Sequence, residues 1–331
     1  NTLEYSFTIK DAHHITLLAG HEGVANYSEA MSASSEEITD DRLTNLQNGS
    51  QSSFSISESM SQSRFLSFFG RLDYSILDKY YFDASVRNDA CSRFGVNNRN
   101  ATFWAVGGMW KLKAEDFLYA VNAVNDLNFK VSYGTQGNAS IGNYQHLGLI
   151  SSSSKYMDTD IKVLTQPSNP SLTWEQQALF TVGINGRLFN MVDFNIEYYN
   201  RTTTDMLMDV PYNYTTGFST LKANVGSLTN NGIDIMLGVD ILRGKDYWLR
   251  ASTTFNYSAE KVTGLFNGLD RWEMTGYGLA YVVGKPVMFY APIFAGIDPA
   301  DGAPMWYLPG ENVDETTMNE TTKTFDEAGL T

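Results

Sequence analysis

The chain has 331 residues, one cysteine and a formal net charge of −14, from 23 Lys and Arg against 37 Asp and Glu. The acidic balance argues against nucleic acid as a partner, because phosphate binding requires basic patches. The lone Cys91 excludes an internal disulfide framework and a cysteine-based zinc site. No apolar run approaches the roughly 18 residues of a membrane-spanning helix.

Apolar and polar residues alternate with period two along most of the chain, which predicts β-strands with two unlike faces. In residues 192–198, for example, Val192, Phe194 and Ile196 alternate with Asp193 and Asn195. The predicted strands cover residues 3–10, 15–21, 66–76, 82–87, 103–112, 127–133, 178–188, 192–198, 233–241 and 249–257. About ten strands of roughly 9–12 residues have the length that crosses a bilayer at a tilt. A short helical turn is predicted within residues 115–124.

The predicted connections alternate in length, and this separates two fold classes. The short ones lie at residues 10–13, 77–79, 189–190 and 243–245. The long ones cover residues 26–61, 89–100, 137–171, 204–222 and everything after 264. Outer-membrane barrels have brief periplasmic turns and long extracellular loops, whereas a soluble β-sandwich has no reason to separate them. The pattern therefore favours a transmembrane barrel with its polar residues, such as Glu197, facing a wet lumen.

Six motifs of this chain, in the same order, resemble those of the SusC/RagA family of TonB-linked outer-membrane transporters. They begin at residues 87, 103, 127, 169, 224 and 284. Three of them contain Arg93-Phe94-Gly95, Asn169-Pro170-Ser171-Leu172-Thr173-Trp174-Glu175 and Asn224-Val225-Gly226-Ser227. The resemblance extends from about Leu3 to Tyr307. It implies an all-β fold, part of a large antiparallel transmembrane barrel of about 22 strands.

The resemblance also implies a division of the chain and a cellular setting. Residues 1–263 are expected to supply about ten barrel strands, and residues 264–331 an extracellular loop segment. The plug, the N-terminal extension and the remaining strands of the family are missing from this chain, so we expect it to be an internal piece of a longer one. The expected location is the bacterial outer membrane.

The function implied by the resemblance is TonB-dependent import of a nutrient, either an oligosaccharide or an oligopeptide. The expected partners are a SusD-like surface lipoprotein, the TonB complex (through a part of the protein outside this chain), the substrate and outer-membrane lipid. No cofactor is implied. Two alternatives from other classes stay open on the sequence: a complete ten-stranded outer-membrane enzyme and a soluble β-sandwich adhesin.

No catalytic or metal site is predicted. His13 and His14 are adjacent, so on a strand they point to opposite faces, and the carboxylates lack metal-ligand spacing. Aromatic residues in the presumed extracellular segments are the candidates for contact with a ligand or partner, because rings offer area at low entropic cost. These candidates are Tyr212, Tyr214, Phe218, Trp272, Tyr277, Tyr290, Trp306 and Tyr307. The competing interpretation is that they pack the loops on one another.

Overall fold

The structure, a computed structural model, describes residues 1–157, 159–274, 278–289, 293–309 and 316–322. Its strands, in chain order, are β1 (Thr2–Ile9), β2 (His13–Ser34), β3 (Ser55–Ile76), β4 (Tyr80–Cys91), β5 (Asn100–Lys111), β6 (Val124–Asn138), β7 (Leu149–Tyr156), β8 (Thr159–Gln166), β9 (Glu175–Leu188), β10 (Val192–Thr204), β11 (Leu207–Pro211), β12 (Thr220–Asn224), β13 (Ser227–Arg243), β14 (Trp248–Gly264), β15 (Arg271–Met274), β16 (Leu279–Val282), β17 (Met288–Phe289), β18 (Phe294–Ile297), β19 (Pro304–Pro309) and β20 (Thr316–Thr322).

Helical structure is confined to short segments in the described part of the chain. The predicted helical turn is confirmed as α1 (Asp116–Tyr119). Single 3-10 turns lie at Leu46–Asn48, Gln51–Ser53, Leu112–Ala114, Tyr214–Thr216 and Phe266–Gly268. Among the described residues, no helix combines the length and the apolar character needed to cross a membrane.

Ten strands form one antiparallel sheet in the order β1-β2-β3-β4-β5-β6-β9-β10-β13-β14. To within a residue, each predicted strand lies inside one strand of this sheet, so the alternation located all ten. The strand order follows the chain order. Small two-stranded sheets, β7–β8 and β11–β12, occupy two of the long connections between neighbours.

Cross-strand register collects the apolar side chains on one face of the sheet. Val131 pairs with Val182, Val182 with Tyr198, Tyr198 with Ile233, and Ile233 with Tyr257, which makes one row across five strands. Because side chains alternate between faces, the residues between these positions form a second, polar face. A one-residue slip at any pair would exchange the two faces, so the apolar rows fix the register.

The apolar face ends in a row of amides and hydroxyls. Asn88 Nδ2 donates to Thr102 Oγ1 at 2.9 Å, and Asn200, two residues beyond Tyr198 on the same face, hydrogen-bonds to Asn231. Ten residues separate the turn at Asn190 from Asn200. They extend about 33 Å along a strand, which a tilt of about 40° reduces to about 25 Å, the height of the apolar band of an outer-membrane barrel.

The sheet has a turn end and a loop end. At the turn end, three connections of three residues each begin with a two-residue turn in which both residues have positive φ, and the last of these turns is Phe189-Asn190 at 55° and 52°. This is the mirror-image turn that matches the twist of antiparallel strands. The other two are Lys10-Asp11 and Leu77-Asp78. The opposite, loop end carries the connections 35–54, 92–99, 139–174 and 205–226.

The predicted long loop at residues 26–61 is wrong in its bounds. β2 and β3 each run for 22 residues and pair from His13↔Ile76 to Ser34↔Ser55. Only residues 35–54 connect them. Beyond Ala25 the alternation is irregular, because Glu29 and Glu58 interrupt the apolar face and small polar residues such as Ser28 and Ser32 occupy the other, so the sequence pattern resembled a solvated loop.

Candidate functional site

A cluster of buried apolar side chains lies at the loop end, on the polar side of the sheet, and we call it the loop core. Three of the four largest fully buried side chains of the described residues belong to it, namely Phe94, Leu172 and Cys91. Its members are Cys91, Phe94, Phe103, Ala139, Ile141, Leu172 and Trp174. They come from strands β4 and β5 and from two long connections, 92–99 and 139–174, so the loops fold inward over the sheet and bury one another.

Trp174 is the centre of the loop core. Its ring lies 5.3 Å from that of Phe94 and 5.7 Å from that of Phe103, and it meets Phe65 edge-on at 6.4 Å. The indole Nε1 donates to the carbonyl of Arg99 at 2.8 Å, so the one polar atom of the ring is satisfied. The ring therefore joins the connection 92–99 to the chain that enters β9.

Two glycines allow this packing. A Cβ at Gly95 would lie 2.9 Å from the carbonyl oxygen of Pro170, and a Cβ at Gly137 would overlap the ring of Phe103. Both sites need a residue without a side chain because a neighbour occupies the space. These glycines belong to the motifs noted in the sequence.

Asparagine side chains tie the loops together at their backbones. Asn224 Nδ2 donates to the carbonyl of Thr173 at 2.7 Å, and its Oδ1 accepts from the Thr173 amide at 2.8 Å. Asn169 Nδ2 donates to the carbonyl of Lys222 at 2.8 Å. The motifs beginning at residues 169 and 224 thus clamp two loops to each other.

Arg93 links a third loop to the clamp. Its Nε donates to Asn143 Oδ1 at 3.0 Å, its Nη1 donates to the carbonyl of Ala139 at 2.9 Å, and the guanidinium lies over the Phe65 ring. His146 Nδ1 meets the Arg93 carbonyl at 2.9 Å. In the sequence these motif residues stand apart from one another, and the spacing between them gave no signal that they converge in space.

A polar pocket of about 280 Å³ lies between β8 and the hairpin of β11 and β12. Phe218 lines it, together with Gln145, Gln166 and the ion pair of Lys222 with Asp209 at 2.8 Å. Gln166 is held in place, since its Nε2 donates to the carbonyls of Tyr144 and Leu147 at 3.0 and 2.8 Å. The pocket joins an aromatic side chain to amide and charged groups that are already positioned.

Two other aromatic candidates lie on the same hairpin as Phe218. Tyr214 is 82% exposed at its tip, and Tyr212 is 37% exposed. The tip is stabilised by Asn213, whose Oδ1 accepts from the Thr215 amide at 3.0 Å, and by Gly217 at φ 85°. Both rings are free to meet another molecule.

The aromatic candidates beyond residue 264 lie in different surroundings. Trp272 is 8% exposed and packs edge-on against Phe266 at 5.1 Å and in a stack with Tyr281 at 5.7 Å. Trp272 therefore packs one part of this segment against another. Trp306 and Tyr307 are half-buried in β19, beside β18 and β20. Tyr277 and Tyr290 lie outside the described residues.

The polar face near the turn end carries a group of four charges. Arg187 contacts Asp193 at 3.1 Å and Asp240 at 2.5 Å, and Arg250 contacts the same two carboxylates at 2.8 and 3.2 Å. The charges balance, so this group joins four neighbouring strands and offers no net charge to a ligand. In the described part of the chain, no three His, Cys, Asp or Glu residues are grouped to hold a metal ion.

Comparison with known proteins identifies the barrel. The family model described as TonB dependent receptor-like, beta-barrel, matches residues 1–308. The chain belongs to this family. The predicted all-β transmembrane barrel and the outer-membrane location are confirmed, and the β-sandwich alternative is wrong. The turn end is therefore periplasmic and the loop end extracellular.

Individual relatives give the same result. The chain is 29% identical over 308 residues to TonB-dependent receptor P26 of Formosa agariphila, covering 90% of this chain and 31% of that protein. It is 31% identical over 214 residues to TonB-dependent receptor SusC of Bacteroides thetaiotaomicron, covering 62% of this chain and 21% of the other. The chain thus spans a third or less of the curated relatives it matches, and the SusC/RagA resemblance is confirmed.

A solved structure matches almost the whole chain. The structure of the RagAB peptide transporter superposes with a TM-score of 0.86 at 38% identity, covering 98% of this chain and 36% of that chain. The outer membrane transporter YddB of Escherichia coli, at 12% identity and a TM-score of 0.51, shares the fold alone.

Proposed function

We propose that the protein imports an oligopeptide across the outer membrane in a TonB-dependent manner, with this chain as part of the barrel wall and of the extracellular mouth. The observation that supports this most is the superposition on the RagAB peptide transporter over 98% of the chain. The proposal includes a SusD-like surface lipoprotein as a lid over the loops, and contact with the TonB complex through other parts of the protein. It includes no cofactor and no catalysis.

The extracellular mouth offers groups that suit a peptide. Amides and ion pairs in the 280 Å³ pocket can meet a peptide backbone and its charged ends, while Phe218 offers apolar surface to a side chain. The loop core beneath holds these groups in position, since its clamps join the hairpin of Phe218 to the chain entering β9. Import of an oligosaccharide is the second candidate, because the exposed rings of Tyr212 and Tyr214 suit stacking on sugars.

We further propose that residues 1–263 supply the membrane-crossing strands and that residues 264–331 lie on the extracellular side. The short turn after Arg243 places the start of β14 at the periplasmic end, so the strand runs toward the extracellular side. Short strands β15 to β20 then follow. Deletion of residues 298–308 with unchanged uptake and lid binding would show that this segment only packs.

Growth of the producing bacterium tests the substrate class. A strain lacking the gene should grow poorly when an oligopeptide mixture is the only amino-acid source and normally on free amino acids. Phe218→Ala in the intact protein should weaken peptide uptake, whereas Leu77→Ala, an exposed position at the periplasmic end, should leave it unchanged. A defect restricted to oligosaccharides would support the second candidate, and growth without any defect would contradict import altogether.

A further inference from the structure

The connection between β5 and β6 is much longer than its neighbours at the periplasmic end. Three other connections at that end are three residues long, whereas this one uses residues 112–123 and contains α1. Adjacent antiparallel strands do not need this length. Extra chain at a position where three residues suffice indicates a role beyond connection.

The connection is tied to the apolar, lipid-facing side of the sheet. Glu115 accepts from Tyr80 Oη at 2.7 Å and from Trp110 Nε1 at 3.0 Å, and it meets Lys79 Nζ at 3.3 Å. Tyr80 and Trp110 stack on each other at 6.2 Å, and they lie on the same face as Phe82 and Phe129 by alternation and register. Glu115 therefore holds α1 at the periplasmic edge of the lipid-facing surface.

The α1 segment exposes its apolar side chains instead of burying them. Phe117 is 65% exposed, Tyr119 is 75% exposed and Val121 is 39% exposed. The adjoining turn contributes Phe189 at 66%, and its amide donates to the carbonyl of Ala123 at 2.7 Å, which joins the turn to the connection. We call Phe117, Tyr119, Val121 and Phe189 the aromatic ledge.

Charged side chains of both signs flank the aromatic ledge, with Lys79 and Lys113 beside Glu115 and Asp116. Lys113 Nζ donates to the carbonyls of Leu118, Tyr119 and Val121 at 3.0, 3.1 and 2.9 Å. These bonds close the end of α1 and place an ammonium group beside the exposed rings, with Lys79 nearby on Glu115. Aromatic rings next to lysines are the composition of a membrane–water interface, where rings lie at headgroup level and cations meet lipid phosphates.

We propose that the aromatic ledge inserts into the headgroup layer of the periplasmic leaflet and anchors the barrel wall there. The partner is the phospholipid surface, because the ledge continues the lipid-facing surface of the sheet and carries the side chains and charges that such an interface favours. A ledge that binds a periplasmic protein instead would lie in water when that protein is absent, and the experiment separates the two.

The test uses the intact protein reconstituted into vesicles of phosphatidylethanolamine and phosphatidylglycerol, which contain no other protein. Phe117→Cys and Tyr119→Cys variants carry a nitroxide, and collision rates with oxygen and with a water-soluble nickel chelate are compared. Phe129→Cys, on the lipid-facing side, is the membrane reference. Asp11→Cys, exposed in a two-residue turn at the same end, is the aqueous reference, and Cys91, which is fully buried, gives the unlabelled background.

At residues 117 and 119 the labels should collide more with oxygen than with the nickel chelate. The ratio of oxygen to nickel collisions should be higher than at residue 11 and shifted toward that at residue 129. Ratios equal to that of residue 11 would overturn the proposal, because the ledge would then lie in water. Low collision rates with both reagents would also overturn it, since the ledge would then be covered by another part of the same protein. Phe117→Trp with brominated phospholipids as quenchers gives an independent reading if a nitroxide impairs folding.

Discussion

The chain reverses direction at both ends of the sheet, but different interactions stabilise the reversals at the two ends. At the periplasmic end, pairs such as Leu77-Asp78 reverse the direction with hydrogen bonds between neighbours. At the extracellular end, Trp174 packs with Phe94 from another connection and with Phe103 from β5, and buries them. The two-residue turns use residues next to one another in the chain, whereas the loop core joins residues as far apart as Phe65 and Trp174, about a third of its length.

This difference places the closely packed interior of the protein outside the membrane. The apolar side chains of the wall, such as Ile196 and Phe255, stay accessible in the isolated chain because lipid covers them. The loop core buries Phe94 and Leu172 completely. Mutations in the wall should therefore report on lipid, and mutations in the loop core on packing.

The largest effect is expected for Phe94→Ala. Removing a fully buried ring from the loop core should destabilise it by about 3–5 kcal/mol, because a cavity remains among rings that other loops hold in place. Limited proteolysis of the extracellular loops should become faster, while the wall stays intact on heat-modifiable gels. Tyr214→Ala, which is 82% exposed, is the matched control. Equal proteolysis of both variants would contradict the loop core.

A charge on the lipid-facing surface should have the next largest effect. Ile196→Arg places a cation near the middle of the apolar band and should lower the free energy of unfolding by about 2–4 kcal/mol, measured in lipid vesicles with urea. Thr254→Arg, on the polar face, should change it little. If the two variants unfold alike, the assignment of the faces is wrong.

The charge group near the periplasmic end should contribute less. Arg187→Ala leaves Asp193 and Asp240 facing Arg250 alone, so the unfolding midpoint should fall, by less than for Ile196→Arg. Arg187→Ala with Asp240→Ala should cost less than the sum of the single changes, because the two side chains share a contact. Strictly additive midpoints in the double-mutant cycle would contradict the coupling.

The smallest effect concerns Glu115, at the periplasmic rim. Hydrogen bonds from Tyr80 and then Trp110 lower the pKa of Glu115 below its ordinary value of 4.5. Because the pKa of Glu115 is lowered, its hydrogen bonds stabilise the folded form at pH values above the ordinary pKa. This stabilisation is lost as the pH falls through the lowered pKa. A nitroxide at residue 119 should become more mobile only in that acidic range. Glu115→Gln should remove the pH dependence, and a transition unchanged by this variant would assign it to another group.

The sequence predicted the wall more completely than the loop core. Period-two alternation located all ten strands, since each side chain of a strand such as 192–198 reports its own face. The positions of Phe94, Leu172 and Trp174 in one cluster were not predictable, because they are isolated in the chain and meet only after the sheet forms. The outer part of the ribbon of β2 and β3 was missed for another reason: glutamates interrupt its apolar face, so the sequence pattern resembled a loop.

The order of strands in the sheet has a consequence for folding kinetics. Every neighbour in the sheet is also the next long strand in the chain, and where β6 meets β9 the intervening residues contain the hairpin of β7 and β8. Such a hairpin shortens the effective length of the loop that has to close, and the closure entropy depends on that length. The contact order of the wall is therefore low for a sheet of its size, so pairing can advance from one strand to the next without waiting for distant segments to meet.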